Sequence, residues 1–122
     1  MSRLQEIIEK LKNKDQVDSV FLTGSQGLEK RPHSDIDLVI ILKENSEKIS
    51  SLYTWVDNTF ADIFFFDHSD LKKIETAKKL GANNMDGILV SWLEKATIQF
   101  DKSGKLTGLK SHIEELKKKV SI

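Results

Sequence analysis

Ser34-Asp35-Ile36-Asp37-Leu38-Val39-Ile40-Ile41-Leu42 sets two carboxylates at the mouth of an unbroken, β-branched apolar run. A run of this kind is the sequence of a strand buried on both faces. Side chains at i and i+2 of a strand project to the same face with Cα atoms roughly 6.6 Å apart, so Asp35 and Asp37 point the same way. Upstream, Val20-Phe21-Leu22 runs into Thr23-Gly24-Ser25, the form of a short buried strand over 18–23 that ends in a glycine turn. Downstream, Thr59-Phe60-Ala61-Asp62-Ile63-Phe64-Phe65-Phe66-Asp67 is too aromatic and too short for a surface helix, and it predicts a third central strand with Asp62 inside it. Helical segments separate and flank these strands. The fold class that follows is α/β (α+β), a small mixed central β-sheet flanked by helices.

Around this core the periodicities are plain. Ser2-Arg3-Leu4-Gln5 has capping-box spacing, and Leu4, Ile7, Ile8 and Leu11 recur at i, i+3, i+4, i+7, which predicts an amphipathic helix over 3–13. Residues 26–34 contain Gly27, Pro32 and the charged trio Glu29-Lys30-Arg31, and form a loop with room for one helical turn after Ser25. Ile49, Leu52, Tyr53 and Val56 stand at helical spacing behind Asn45 or Ser46 as a cap, predicting a second helix over 44–56. Ser69-Asp70 caps a lysine-rich helix ending at Gly81, and Met85, Ile88, Leu89, Trp92 and Leu93 mark another apolar stripe. Residues 96–100 alternate as a partly exposed strand, Asp101-Lys102-Ser103-Gly104 turns the chain, and Leu109, Ile113, Leu116 and Val120 line a last helix.

Composition narrows the function classes. The chain has 122 residues, a length for about one domain, taken as 1–122, with 19 basic residues against 19 acidic ones. A balance of zero argues against a dedicated nucleic-acid or acidic-membrane surface. Without cysteine there is no disulfide scaffold and no thiolate chemistry, and three scattered histidines do not suggest a zinc site. No stretch approaches the roughly 18 apolar residues of a membrane span, and the N-terminus lacks an apolar signal core, so the expected compartment is the cytoplasm.

The three aspartates carry the chemistry. Asp35 and Asp37 repel each other if left alone, and an unpaired Asp62 buried among phenylalanines would cost several kcal/mol. Carboxylates converging from two strands suit magnesium, a hard cation that takes oxygen ligands and leaves positions for water and phosphate oxygens. Two such ions roughly 3.5–4 Å apart can clamp the attacking and leaving oxygens of an in-line phosphoryl displacement. Gly24 at a strand end lets the backbone approach a polyanion, and the Ser25 hydroxyl can donate to the same group.

The pattern Phe21-Leu22-Thr23-Gly24-Ser25, then Ser34-Asp35-Ile36-Asp37-Leu38-Val39, then Ala61-Asp62-Ile63 resembles the polymerase-beta-type nucleotidyltransferase superfamily. Within it the chain looks most like the minimal nucleotidyltransferases of the HEPN/MNT antitoxin-like group. The resemblance implies that Asp35 and Asp37 hold two Mg2+ ions and that Asp62 completes the catalytic metal site and helps deprotonate the acceptor hydroxyl. It implies that Gly24 and Ser25, with Ser34 beside them, bind the phosphates of ATP or another nucleoside triphosphate. A nucleoside monophosphate, AMP in the usual case, would pass to a hydroxyl, a tyrosine of a helical HEPN-type toxin partner being one such acceptor. Two features depart from the group: the interval between Ser25 and Asp35 is one residue shorter, and Gln26-Gly27-Leu28 stands in place of an Arg-Ala-containing turn.

Competing readings remain for several of these residues. Asp62 could be a strand aspartate paired with Lys or Arg, and Asp-x-Asp by itself also occurs at solvent edges and in glycosyltransferases. Asp67 reads as the end of its strand. His33, Lys30 and Arg31 border the loop as solvated residues or as guides for a triphosphate, and His68 and His112 read as structural. The alternative function is an antitoxin or protein-binding module that neutralises a partner by occlusion with little or no catalysis; the expected protein partner is a helical HEPN-type protein, or else a second copy of the chain in a homo-oligomer.

Overall fold

The computed structural model describes residues 3–23, 36–49, 51–56, 59–76, 92–93 and 96–119. Helix α1 (Arg3–Lys12) leads into β1 (Val17–Thr23); β2 (Ile36–Leu42), β3 (Ser51–Val56) and β4 (Thr59–Asp67) follow. Helix α2 (His68–Thr76), strand β5 (Thr97–Asp101) and helix α3 (Lys105–Lys119) complete the order. The five strands form one sheet in the order β3-β4-β2-β1-β5. β2 and β4 are parallel, and the other pairs are antiparallel. None of the described helices is long and apolar enough to cross a membrane.

The apolar run of β2 is buried on both faces because helices cover both. On one face Phe21, Val39, Ile41 and Phe66 pack against Leu71 and Ile74 of α2, against Leu93, and against Leu106, Leu109 and Ile113 of α3. On the other, Val17, Val20, Leu38, Ile40 and Ile63 meet Leu11 of α1, whose Leu4 and Ile7 reach Val56 and Ala61. The alternation of inward side chains along β1, β2 and β4 therefore serves two cores at once.

The predicted helix over 44–56 is corrected. Residues 51–56 form an edge strand paired to β4, and residues 43–49 form the turn that leads to it. Asn45 does close this segment, but as a turn: its Oδ1 accepts the Ile49 N–H at 3.1 Å and its Nδ2 donates to the Ile49 carbonyl at 2.6 Å. The apolar spacing of Ile49, Leu52, Tyr53 and Val56 was coincident with helical periodicity. The aromatic and β-branched content of Leu52-Tyr53-Thr54-Trp55-Val56 is satisfied instead by cross-strand pairing, which tertiary context decides.

The helix after β4 is also capped two residues earlier than the sequence suggests, at Asp67 in place of Ser69. Asp67 Oδ1 accepts the N–H groups of Ser69 and Asp70, and Asp70 Oδ2 accepts the Asp67 N–H at 2.9 Å, a reciprocal capping box. Burial pushes the Asp67 carboxyl up, but the Ser69 hydroxyl and the backbone N–H groups of Asn45, Asp70 and Ser69 outweigh it and hold its pKa below the usual value. Asp70 goes the other way, raised first by burial and also by the charge of Asp67. The last helix begins at Lys105, four residues before its first predicted apolar position, because Gly104 takes φ 79° and Asp101 Oδ2 accepts the Thr107 N–H at 2.8 Å. The predicted stripe over 85–93 is described only at Trp92 and Leu93, which are helical, and the end of α2 toward Gly81 lies outside the described residues.

At the start of β1 a polar cluster ties four segments together. Asp18 is only 1% exposed; its carboxylate accepts the Ser103 N–H at 3.1 Å and the Ser103 hydroxyl at 2.7 Å, and lies 3.2 Å from His68 Nε2. Ser19 Oγ sits 2.9 Å from Asp18 Oδ2 and 2.8 Å from Asp101 Oδ1, so one hydroxyl proton is shared by two carboxylates. Burial raises the Asp18 pKa, but hydrogen bonds from Ser103 and Ser19 and the contact with His68 outweigh it and bring it below the ordinary value. A carboxylate whose folded pKa is depressed adds stability above its unfolded pKa of about 3.9, and that stability is lost as pH falls through the folded value. Urea unfolding followed from pH 6 to pH 3 is therefore expected to show a falling midpoint below about pH 4. Asp18→Ala is expected to cost about 1–3 kcal/mol at neutral pH and to flatten that acid limb.

Candidate active site

The parallel pairing of β2 and β4 places Asp37 directly beside Asp62. Register partners share a face, and the row continues on both sides: Thr23 of β1 pairs with Asp37, and Tyr53 of β3 pairs with Asp62. Thr23, Asp37, Asp62 and Tyr53 thus form one line across four strands. Neighbouring strands lie about 4.8 Å apart, so the two carboxylates are one strand spacing from each other.

One side of this row is closed. Trp92 packs on Phe64 with ring centroids 4.6 Å apart and on Phe66 at 6.3 Å, and its carbonyl accepts the Thr23 hydroxyl at 3.1 Å. These contacts lay an aromatic floor beside the carboxylates and anchor the last residue of β1. Asp37 and Asp62 are half-buried, and one oxygen of Asp62, Oδ1, is removed from solvent.

On the far side of Asp62 the surface changes character. Tyr53 and Trp55 are 63% and 68% exposed, although both are large aromatic residues. Phe60 joins them: it stacks with Tyr53 at 5.6 Å and 14° between planes, and meets Trp55 edge-on at 5.5 Å. Tyr53, Trp55 and Phe60 lie on the same sheet face as Asp62, by register and by the two-residue alternation of each strand. Helical spacing over 44–56 predicts Tyr53 on an apolar helix stripe, whereas the strand presents it on an exposed face. The alternation of Ser51, Tyr53 and Trp55 with Leu52, Thr54 and Val56 was the signal for a strand with an aromatic face.

Of the residues read from sequence as the site, Asp37 and Asp62 are brought together. Asp35, Gly24, Ser25 and Ser34 lie outside the described residues, as do Lys30, Arg31 and His33. Among the described residues there is no group of three or more potential metal ligands, and Asp37 with Asp62 makes a pair. Two half-buried carboxylates in adjacent register offer hard oxygen donors, a donor type that fits magnesium. His68, read as structural, contacts Asp18 in the polar cluster at the start of β1, and Trp92 packs at the core edge.

Comparison with known proteins bears on the family and the fold. Residues 5–90 match the family described as "Polymerase beta, Nucleotidyltransferase". The chain also superposes on a nucleotidyltransferase-like protein from Exiguobacterium sibiricum 255-15 with a TM-score of 0.65 at 13% identity. That alignment covers 92% of this chain and 37% of the other, so it is a likeness of fold to part of a longer protein. No curated protein matches the chain.

Magnesium is expected to raise the thermal midpoint of the wild-type protein, by linkage to the folded state. Asp62→Asn, which removes one carboxylate of the candidate ligand pair, is expected to abolish most of the magnesium-dependent rise. Thermal scans with and without MgCl2, and with CaCl2 as comparison, measure this directly.

Proposed function

The chain belongs to the polymerase beta nucleotidyltransferase family, and we propose that it transfers a nucleoside monophosphate, AMP from ATP, to a hydroxyl acceptor with magnesium. The observation that carries the reading is the register of Asp37 against Asp62, immediately beyond the β1 end that leads to Gly24-Ser25.

In this reading Asp35 and Asp37 hold magnesium and Asp62 shares it. When bound, magnesium neutralises charge on the phosphoryl oxygens and favours the ionised acceptor. Gly24, Ser25 and Ser34 bind the triphosphate tail, through backbone N–H groups and hydroxyls that donate to its oxygens. The acceptor oxygen attacks the α-phosphorus, the bond from that phosphorus to the bridging oxygen breaks, and pyrophosphate leaves. Asp62 receives the acceptor proton, a task for which its half-buried position beside Asp37 is suited. Positioning and charge stabilisation account for most of the rate in such transfers, because the protein itself forms no bond to phosphorus.

With α-labelled ATP, magnesium and hydroxyl acceptors, the wild-type protein is expected to release pyrophosphate and transfer label. Asp37→Ala and Asp62→Ala are each expected to reduce transfer by roughly 10²–10⁴-fold without loss of fold by circular dichroism. Full transfer by folded Asp37→Ala would overturn the reading.

A further inference from the structure

The aromatic face of β3 is unexplained by the nucleotide reading, and it lies beside the carboxylates on the side away from β1. An in-line displacement requires attacking and leaving oxygens on opposite sides of phosphorus. Pyrophosphate, in the reading above, is held at the β1 end of the row by Gly24 and Ser25. Asp37 and Asp62 occupy the two middle strands, so the attacking hydroxyl approaches across β4 from β3. The residue of β3 in register with Asp62 is Tyr53.

We infer that Tyr53 is itself a nucleotide acceptor, so that the chain nucleotidylates its own phenol in a reaction that rests on the proposed nucleotidyl transfer. Four observations converge on this residue. Tyr53 is the sole tyrosine of the chain. It is 63% exposed, so its hydroxyl is open to a substrate docked on the sheet. Its Cα is the register partner of the Asp62 Cα on the adjacent strand, about 4.8 Å away between strands, so both side chains project from the same face. Its ring is stacked on Phe60, two residues before Asp62 on β4, which holds the phenol on the carboxylate face.

The other described hydroxyls of β3 are less well placed. Thr54 pairs with Ala61 and belongs to the opposite face. Ser51 pairs with Phe64, two residues past Asp62 along β4 and beside the ring of Trp92. Trp55, 68% exposed and edge-on to Phe60, extends the platform but has no hydroxyl.

The step balances without a further reactant. The Tyr53 oxygen forms a bond to the α-phosphorus of the nucleoside triphosphate, the bond from that phosphorus to the β-phosphate bridging oxygen breaks, and pyrophosphate departs. The phenolic proton passes to the Asp62 carboxylate and then to solvent. The product is a phosphodiester linking Tyr53 to the nucleoside, with one pyrophosphate released per chain modified.

The full chain is incubated with α-labelled ATP and MgCl2, and intact-mass and peptide mass spectrometry locate the modification. The expected result is addition of one nucleoside monophosphate, mapped to Tyr53. Tyr53→Phe is expected to lose the label, at least tenfold below wild type, while binding ATP as the wild type does by tryptophan fluorescence. Thr54→Ala is expected to label normally, and Asp37→Ala not at all. Mixing Asp37→Ala, which keeps the tyrosine, with Tyr53→Phe, which keeps the site, is expected to leave both unlabelled because transfer occurs within one chain. Label on another residue, undiminished label in Tyr53→Phe, or label appearing on Asp37→Ala in the mixture would overturn the inference. Absence of label from a protein that nevertheless transfers AMP to an added hydroxyl would also overturn it, while leaving the proposed function standing. Absence of both transfer and ATP binding would remove the two together.

Discussion

The pairing of β2 with β4 is the parallel ladder in a sheet whose other ladders are antiparallel, and the site depends on its register. It sets Asp37 beside Asp62, whereas a shift of one residue would turn one of them to the opposite face. Such a slip is prevented by the cores on both sides. Val39, Ile41 and Phe66 must meet the α2 and α3 side chains, and Leu38, Ile40 and Ile63 must meet the side under α1. Two adjacent like charges are thus held in place by hydrophobic packing that extends well beyond them.

The sheet also separates its two ends by task. At the start of β1 every carboxylate oxygen of Asp18 is engaged, and Asp18, Ser19, His68, Asp101 and Ser103 bind β1, the start of α2 and the β5–α3 turn into one unit. A buried network satisfied to this degree rigidifies its surroundings. At the other end, the same strand finishes with the Thr23 hydroxyl bonded to the Trp92 carbonyl, and the row of Asp37, Asp62 and Tyr53 opens beyond it. Polar groups near the base of the sheet are spent on one another. Those at the other end range from buried Thr23 through half-buried Asp37 and Asp62 to exposed Tyr53.

Strands β1, β2 and β4 were legible to within a residue or two because burial on both faces leaves an unbroken apolar signature that local chemistry does not contradict. Asp37 and Asp62 were legible for the complementary reason, as charges inside such signatures. β3 was not. It is an edge strand with one helical-looking set of apolar positions, and its pairing partner lies across a turn that the periodicity of 44–56 does not reveal. The cap of α2 was displaced from Ser69 to Asp67 because three acceptor-bearing side chains stand within four residues, and the choice among them is made by the direction in which β4 delivers the chain. The Asp18 cluster joins positions more than eighty residues apart, Ser19 with Asp101 and Asp18 with Ser103, which no local pattern encodes.

The missed strand matters more than its length suggests, because it changes what lies next to the carboxylates. As a helix, residues 44–56 would have turned Tyr53 inward and left the outer side of β4 as the edge of the sheet. As a strand they carry Tyr53 and Trp55 onto the face of Asp62 and cover that edge with β3. Natural edge strands are commonly blunted by charge or proline, yet Ser51-Leu52-Tyr53-Thr54-Trp55-Val56 has neither. Stability does not require two exposed aromatics there, since their rings bury little beyond their contacts with Phe60. In the proposed reaction their position has a chemical use: an uncharged aromatic face beside Asp62 competes for no cation, and it presents one phenol, Tyr53, in register with that carboxylate.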